Sequence, residues 1–206
     1  MENREIYKSF SFVAFDIKTT GIKPAENNII EIGASLYENG EEIKRFHSYI
    51  QPTFDISAVS LASLDVSLNT LNHYGQPLKV VLNELDEFAS GKTALFLNNF
   101  NQSEFLTYHI FNQNLVPFIN YHYDLLEIIK IYLPFLEQFD LEDIAAHFSL
   151  PLKDLMTSED KATLYGKLFY IMLDFITDKV PFSKNRLLYS LASNSDLDTA
   201  LPSMLN

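Results

Sequence analysis

The chain has 206 residues, of which 27 are acidic and 15 basic, for a formal charge of −12. With 47% hydrophobic and 20% charged residues it is globular in composition rather than disordered. The acidity weighs against a chain whose main task is phosphate neutralisation. The absence of cysteine excludes disulfides, thiolate metal centres and cysteine nucleophiles.

Ser11 to Asp16 is a β-rich run that ends in a carboxylate, and Thr19-Thr20-Gly21 follows as a turn. Ile29 to Tyr37 is a second strand, closed by the hairpin dipeptide Asn39-Gly40. Ile43 to Ile50 alternates as a third strand. Beyond Pro52, Ser60 to Leu71 reads as short helical pieces. Leu78 to Ala89 has helical spacing and stops at Ser90-Gly91. Thr93 to Leu97 is a short strand, Ser103 to Asn112 a helix, and Tyr121 to Leu126 a strand running into a helix. Leu141 to Phe148 and Lys161 to Ile176 are helices. The order predicts an α/β layered domain with a mixed five-stranded sheet, three antiparallel strands first, flanked by helices. It occupies residues 1–180, with 181–206 as a C-terminal appendage. No apolar run approaches the roughly 18 residues that span a bilayer, and Met1 to Glu5 lacks a signal-peptide core, so the expected location is cytoplasmic.

The segment Phe12 to Gly21, read as F-V-A-F-D-I-K-T-T-G, followed by Ile29-Ile30-Glu31-Ile32-Gly33-Ala34, resembles the DnaQ-like 3′–5′ exonucleases, the proofreading subunit of bacterial replicative polymerase among them. Their pattern is a strand ending D-x-E-T-T-G and a neighbouring strand I-I-E-I-G-A. The resemblance continues through His47 to Pro52, Asn98, Phe105-Leu106, Asp124 to Leu126 and the helices up to Leu168. It implies an RNase H-like fold and a site in which four carboxylates hold two divalent ions while a histidine serves as general base.

That chemistry is lost at nearly every position to which the resemblance carries it. Asp16 keeps the first carboxylate, but the glutamate two residues on is Lys18. Strand residues i and i+2 share a face, so a direct Asp16–Lys18 ion pair is expected where an ion would lie. The second block, H-N-x-x-F-D-x-x-F-L, falls on Leu97 to Leu106 and puts Gln102, or Ser103 one residue on, at the aspartate. The third, H-x-A-L-x-D-A-x-x-T, aligned on Thr163, puts Asp154 at the histidine and Glu159, or Asp160 after a one-residue shift, at the last aspartate. None of His47, His73, His109, His122 and His147 takes the base position.

Asp16, Lys18, Gln102, Asp154 and Glu159 are therefore the expected positions of a vestigial site, with no metal or other cofactor. The resulting expectation is a catalytically inactive binding or scaffold module, with a protein partner, in bacterial DNA replication or repair. One alternative is an active Mg²⁺- or Mn²⁺-dependent exonuclease with a displaced ligand set: Asp16, Glu104, Asp154 and either Glu159 or Asp160. The other is metal-free binding of single-stranded nucleic acid by Lys18, Lys23, Lys153 and Lys161, which the charge of −12 disfavours. Partner identity and oligomeric state are left open.

Overall fold

Phe12–Thr19 forms β1, and every side chain from Phe12 to Ile17 is buried. Phe12 and Ala14 pack into one apolar layer, and Val13, Phe15 and Ile17 into the other. A strand apolar on both faces belongs in the middle of a sheet. The structure is a computed structural model, and it describes residues 10–53, 56, 60, 65–89, 91–118 and 121–179. The expected appendage at 181–206, and residues 61–64 of the helical reading of Ser60 to Leu71, lie outside these residues.

β2 (Ile29–Glu38) runs antiparallel to β1, and β3 (Glu41–Tyr49) antiparallel to β2. The turn between β2 and β3 places Asn39 and Gly40 at φ 53° and 85°, the paired left-handed conformation that Asn-Gly supplies at least cost. Then follow α1 (Leu68–Tyr74), α2 (Leu78–Ala89), β4 (Thr93–Phe96), α3 (Asn99–Asn112), β5 (His122–Asp124), α4 (Leu125–Tyr132), α5 (Leu141–His147) and α6 (Ser158–Lys179). β4 pairs parallel with β1, and β5 parallel with β4, which gives the order β3-β2-β1-β4-β5. This is the expected mixed sheet. α2 and α3 cover the face of Val13, Phe15 and Ile17; α4 and α6 cover the face of Phe12 and Ala14.

Two helices begin earlier than their periodicity predicts. α3 starts at Asn99, four residues before its apolar spacing becomes visible, because its first turn, Asn99-Phe100-Asn101-Gln102, holds a single apolar residue and so sets no period. α6 starts at Ser158 rather than Lys161 because Thr157 and Asp160 form a capping box. The Thr157 hydroxyl accepts from the Asp160 amide at 3.2 Å, and the Asp160 carboxylate accepts from the Thr157 amide at 3.3 Å.

α6 is seated on the sheet by close approach. Gly33 on β2 lies directly under the first turn of α6, where an added Cβ would fall 2.0 Å from the backbone of Ser158 and Glu159. Further along, Gly166 meets the Tyr37 ring, and the Tyr37 hydroxyl donates to the Thr163 carbonyl at 2.8 Å. Phe12 stacks on Tyr37 at 5.2 Å and meets Phe169 edge-on at 5.0 Å.

Glu42 at the start of β3 ties three elements together. It accepts from Ser35 on β2 at 2.5 Å, from Thr163 on α6 at 2.6 Å and from the Arg45 guanidinium at 2.6 Å. Burial alone would raise its pKa, but the hydrogen bonds from Arg45, Ser35 and Thr163 outweigh this and bring it down to about 2. A carboxyl whose folded pKa is depressed contributes stability that is present above its ordinary value and lost as pH falls through the folded one. Glu42→Gln is therefore expected to lower unfolding free energy at pH 7 by about 1–2 kcal/mol, discounted for partial exposure. The gap between wild type and variant should close between pH 4.5 and about 2. Urea titrations at pH 7, 4.5 and 3 measure it; a gap independent of pH would show that Glu42 is not held ionised.

Candidate functional site

β1 and β4 run parallel and pair up to Phe15 and Phe96. Asp16 is the next residue on β1, at the carboxyl end of this pair, the edge where open α/β sheets place ligands. By alternation it faces the α6 layer together with Phe12 and Ala14. It is 3% exposed. One oxygen, Oδ1, accepts from the Gln102 amide on α3 at 3.1 Å and from the Tyr165 hydroxyl on α6 at 3.0 Å. Oδ2 is buried without a hydrogen-bond partner among the described residues, as is the Gln102 side-chain oxygen. The Tyr165 phenol, fully buried beside this carboxylate, has its pKa raised well above the ordinary value, first by burial and then by the Asp16 charge. The first turn of α3, through Gln102, and α6, through Tyr165, thus converge on Asp16.

Lys18 does not pair with Asp16. Its ammonium lies 3.0 Å from Glu31 Oε2 on β2 and donates to the Met156 carbonyl at 3.3 Å. The reason is the ladder: Lys18 and Glu31 are direct cross-strand partners, with Cβ atoms only about 4.5–5.5 Å apart. Residues i and i+2 stand about 6.6 Å apart along a strand. Glu31 is completely buried. Its Oε1 accepts from the Ser158 amide at 2.7 Å and lies 3.0 Å from His47 Nε2. Burial pushes its pKa up, but hydrogen bonds from His47, Ser158 and Lys18 outweigh that and hold it below the ordinary carboxylate value.

Glu31, His47 and Tyr165 were not among the sequence-derived site residues. Glu31 had a signal, a lone carboxylate inside the apolar run Ile29 to Ala34. Tyr165 reaches Asp16 across 149 residues and had none.

The remaining expected positions separate. Glu159 turns toward β3, with its carboxylate 3.8 Å from Arg45. Asp160 caps α6 and pairs with Lys153. Asp154 is exposed and lines a cleft of about 210 Å³ that also contains Lys18, Lys153, Lys161, Asp65 and Glu142. Glu104 is exposed on α3. Among the described residues no group of three or more His, Asp or Glu side chains is placed to hold a metal, so the displaced ligand set does not assemble. Of the four lysines expected around a nucleic-acid cleft, three line this one; Lys23 instead pairs with Glu26 at 3.1 Å.

Residues 13–154 match the RNase_T exonuclease family. The chain belongs to this exonuclease family. As a member it is similar to the PolC-type DNA polymerase III of Streptococcus thermophilus, 25% identical over 178 residues that cover 86% of this chain and 12% of the polymerase. The PolC-type polymerase of Lactococcus lactis is 24% identical over 171 residues, covering 82% of this chain and 10% of that one. The chain therefore spans only about an eighth of the length of these curated relatives or less. Among solved structures, the nuclease domain of 3′hExo, a DEDDh family member bound to rAMP, superposes with a TM-score of 0.65 at 14% identity, covering 81% of this chain and 92% of that one. At that identity the likeness carries the fold, which is that of the RNase H-like exonucleases. The exonuclease fold and DnaQ-like kinship expected from the sequence are thus found. No described helix is long and apolar enough to cross a membrane.

Proposed function

We propose that this exonuclease-fold chain does not run the two-ion hydrolysis of its family and acts as a binding module whose partner is another protein. The observation that carries the reading is the Lys18–Glu31 pair, an ammonium locked by a buried carboxylate at the position where the family pattern has a metal ligand. Hard divalent ions take several oxygen donors in near-octahedral array, and the residues here do not fit that group. Asp16 Oδ1 is committed to two hydrogen-bond donors. Gln102 brings an uncharged amide to a carboxylate position. Glu159 is drawn toward Arg45 and Asp160 toward the helix cap. Asp154 stands where the family pattern has its histidine, so no imidazole is available there as general base.

The acidic balance of the chain supports a protein partner over a nucleic acid. The polymerase relatives support a setting in DNA replication or repair by analogy. In the same vein, an ExoI/SSB-Ct complex is among the similar structures, with a TM-score of 0.68 at 14% identity over 82% of this chain and 44% of that one.

The test is 3′-end shortening of labelled single-stranded DNA and RNA with Mg²⁺ or Mn²⁺, beside calorimetric titration of Mn²⁺. The expected result is no digestion above background and no binding in the micromolar range. A micromolar Mn²⁺ site that vanishes in Asp16→Ala, together with 3′–5′ digestion, overturns the proposal. A second reading, metal-free strand binding, draws support from Lys18, Lys153 and Lys161 in one cleft, but Asp65, Glu142 and Asp154 line the same walls. Oligonucleotide binding in the same assay, weakened by Lys161→Gln and by salt, would favour it over a protein partner.

A further inference from the structure

The cleft of about 210 Å³ beside Lys18 is lined by as many cations as anions: Lys18, Lys153 and Lys161 against Asp65, Glu142 and Asp154. Two of the cations are committed inside the protein, Lys18 to Glu31 and Lys153 to Asp160. The side chain of Lys161, on the first turn of α6, has no ion-pair or hydrogen-bond partner among the described residues, and neither have those of Asp65, Glu142 and Asp154.

Lys161 thus shares one cleft with three carboxylates and pairs with none of them, so each stands farther off than the roughly 4 Å of an ion pair. The space of the cleft holds unlike charges apart, and a field acts across it. An ion of one sign gains little there. A phosphate drawn to Lys161 also meets the carboxylates, and a simple amine drawn to the carboxylates also meets Lys161. A molecule that carries both charges is attracted at both ends. The same cleft has an apolar floor of Leu141, Leu152 and Met156, all half-buried.

We propose that this cleft binds a free zwitterionic α-amino acid with an aliphatic side chain. Its carboxylate meets Lys161, its ammonium meets Glu142 and Asp154, and its side chain lies on Leu141, Leu152 and Met156. An ammonium only donates and a carboxylate only accepts, so each end of the ligand finds its complement on a different residue. The volume lies below the roughly 300–1,000 Å³ of sites for larger ligands, which restricts the occupant to a single amino acid rather than a peptide. Such a site adds a small-molecule ligand to the binding module proposed above and does not depend on that reading.

The test uses L-leucine as probe on the full chain with ¹³C-methyl methionine, read by NMR. The Met156 methyl lines the cleft, while Met172 is wholly buried elsewhere and reports that the fold is intact. L-Leucine should move the Met156 signal with a Kd below about 1 mM and leave Met172 in place. Leucinamide, which lacks the carboxylate, and N-acetyl-leucine, which lacks the ammonium, should each bind about 10-fold more weakly or worse. The variants should cross over. Lys161→Gln should erase the preference for leucine over leucinamide and keep that over N-acetyl-leucine; Glu142→Gln with Asp154→Asn should do the reverse. No movement of Met156 up to about 10 mM leucine would overturn the proposal, as would equal binding of either one-charge analogue to the native chain. Tighter binding of thymidine monophosphate would return the cleft to nucleic acid and overturn it likewise.

Discussion

Lys18→Glu, which restores the family's residue at its motif position, is expected to yield a less stable protein that still degrades no nucleic acid. The cost arises at Glu31, not Asp16. In the native chain the Glu31 carboxylate, wholly buried, has Lys18 at 3.0 Å as its cation. The substitution sets two carboxylates opposite each other on neighbouring strands. Breaking a buried pair typically costs about 3–5 kcal/mol, and like charge adds to that until one group takes up a proton. The pH dependence should therefore invert. In the native chain the Glu31 pKa is lowered, so its stabilisation is present above the ordinary carboxylate value and fades as pH falls. In the variant one carboxyl of the pair is raised, so stability is greatest at low pH and is lost as pH climbs through the raised value. Urea midpoints at pH 5 and 8 distinguish the two signs. Lys18→Met, which removes the cation without adding an anion, should be intermediate. On the proposed inactive reading no activity should appear, because Gln102 still offers an amide to Asp16 and the proposed alignment still has Asp154 at the histidine; loss of a general base alone costs about 10²–10⁴ in rate. The smallest set with prospects of reviving hydrolysis is Lys18→Glu with Gln102→Asp, Asp154→His and Glu159→Asp. Brisk digestion by the single variant in Mn²⁺ would mean that the missing ligands come from other residues and that the proposed inactive reading is wrong.

The ease of reading differs along the chain for physical reasons. β1, β2, β3 and the Asn39-Gly40 turn were legible because the continuous apolar runs of β1 and β2, the alternation in the third strand and a dipeptide suited to positive φ are local properties of the sequence. The start of α6 was missed by three residues because Ser158, Glu159 and Asp160 carry no apolar period; the usable signal was the Thr157-x-x-Asp160 cap. The Asp16–Gln102 contact follows from the motif order, since a strand end and the first turn after the adjacent parallel strand must meet. Lys18 was assigned the wrong partner because same-strand proximity was weighed and cross-strand register was not. The Asp16–Tyr165 bond and the Ser158–Glu31 bond depend on where a helix far along the chain settles on the sheet. No local pattern fixes that; small residues at the crossing do, and Gly33 and Gly166 lie among more prominent neighbours in the sequence.

Gly33→Ala isolates that settling and should be among the most damaging single-methyl changes in the chain. The added Cβ would lie 2.0 Å from the Ser158 carbonyl carbon and the Glu159 amide nitrogen. Both are backbone atoms, so no side chain can swing aside, and α6 itself must lift. Overpacking of this kind costs about 1–3 kcal/mol. Lifting the helix start also stretches the 2.7 Å bond from the Ser158 amide to Glu31, and hydrogen bonds to charged groups contribute about 1.5–3 kcal/mol. A combined loss of about 3 kcal/mol or more is expected in urea titration. Gly91→Ala is the control. Gly91 has φ +76°, with nothing within 4 Å of an added Cβ, so it pays only backbone strain of about 1–2 kcal/mol. Hydrogen exchange supplies the structural readout. In Gly33→Ala the Ser158 amide should lose protection, since its acceptor has moved away, while amides of β1 opposite β4 keep theirs. If Gly33→Ala proves as mild as Gly91→Ala with Ser158 still protected, α6 does not press on β2 there, and the account of how Glu31 and Lys18 are locked beneath it fails with it.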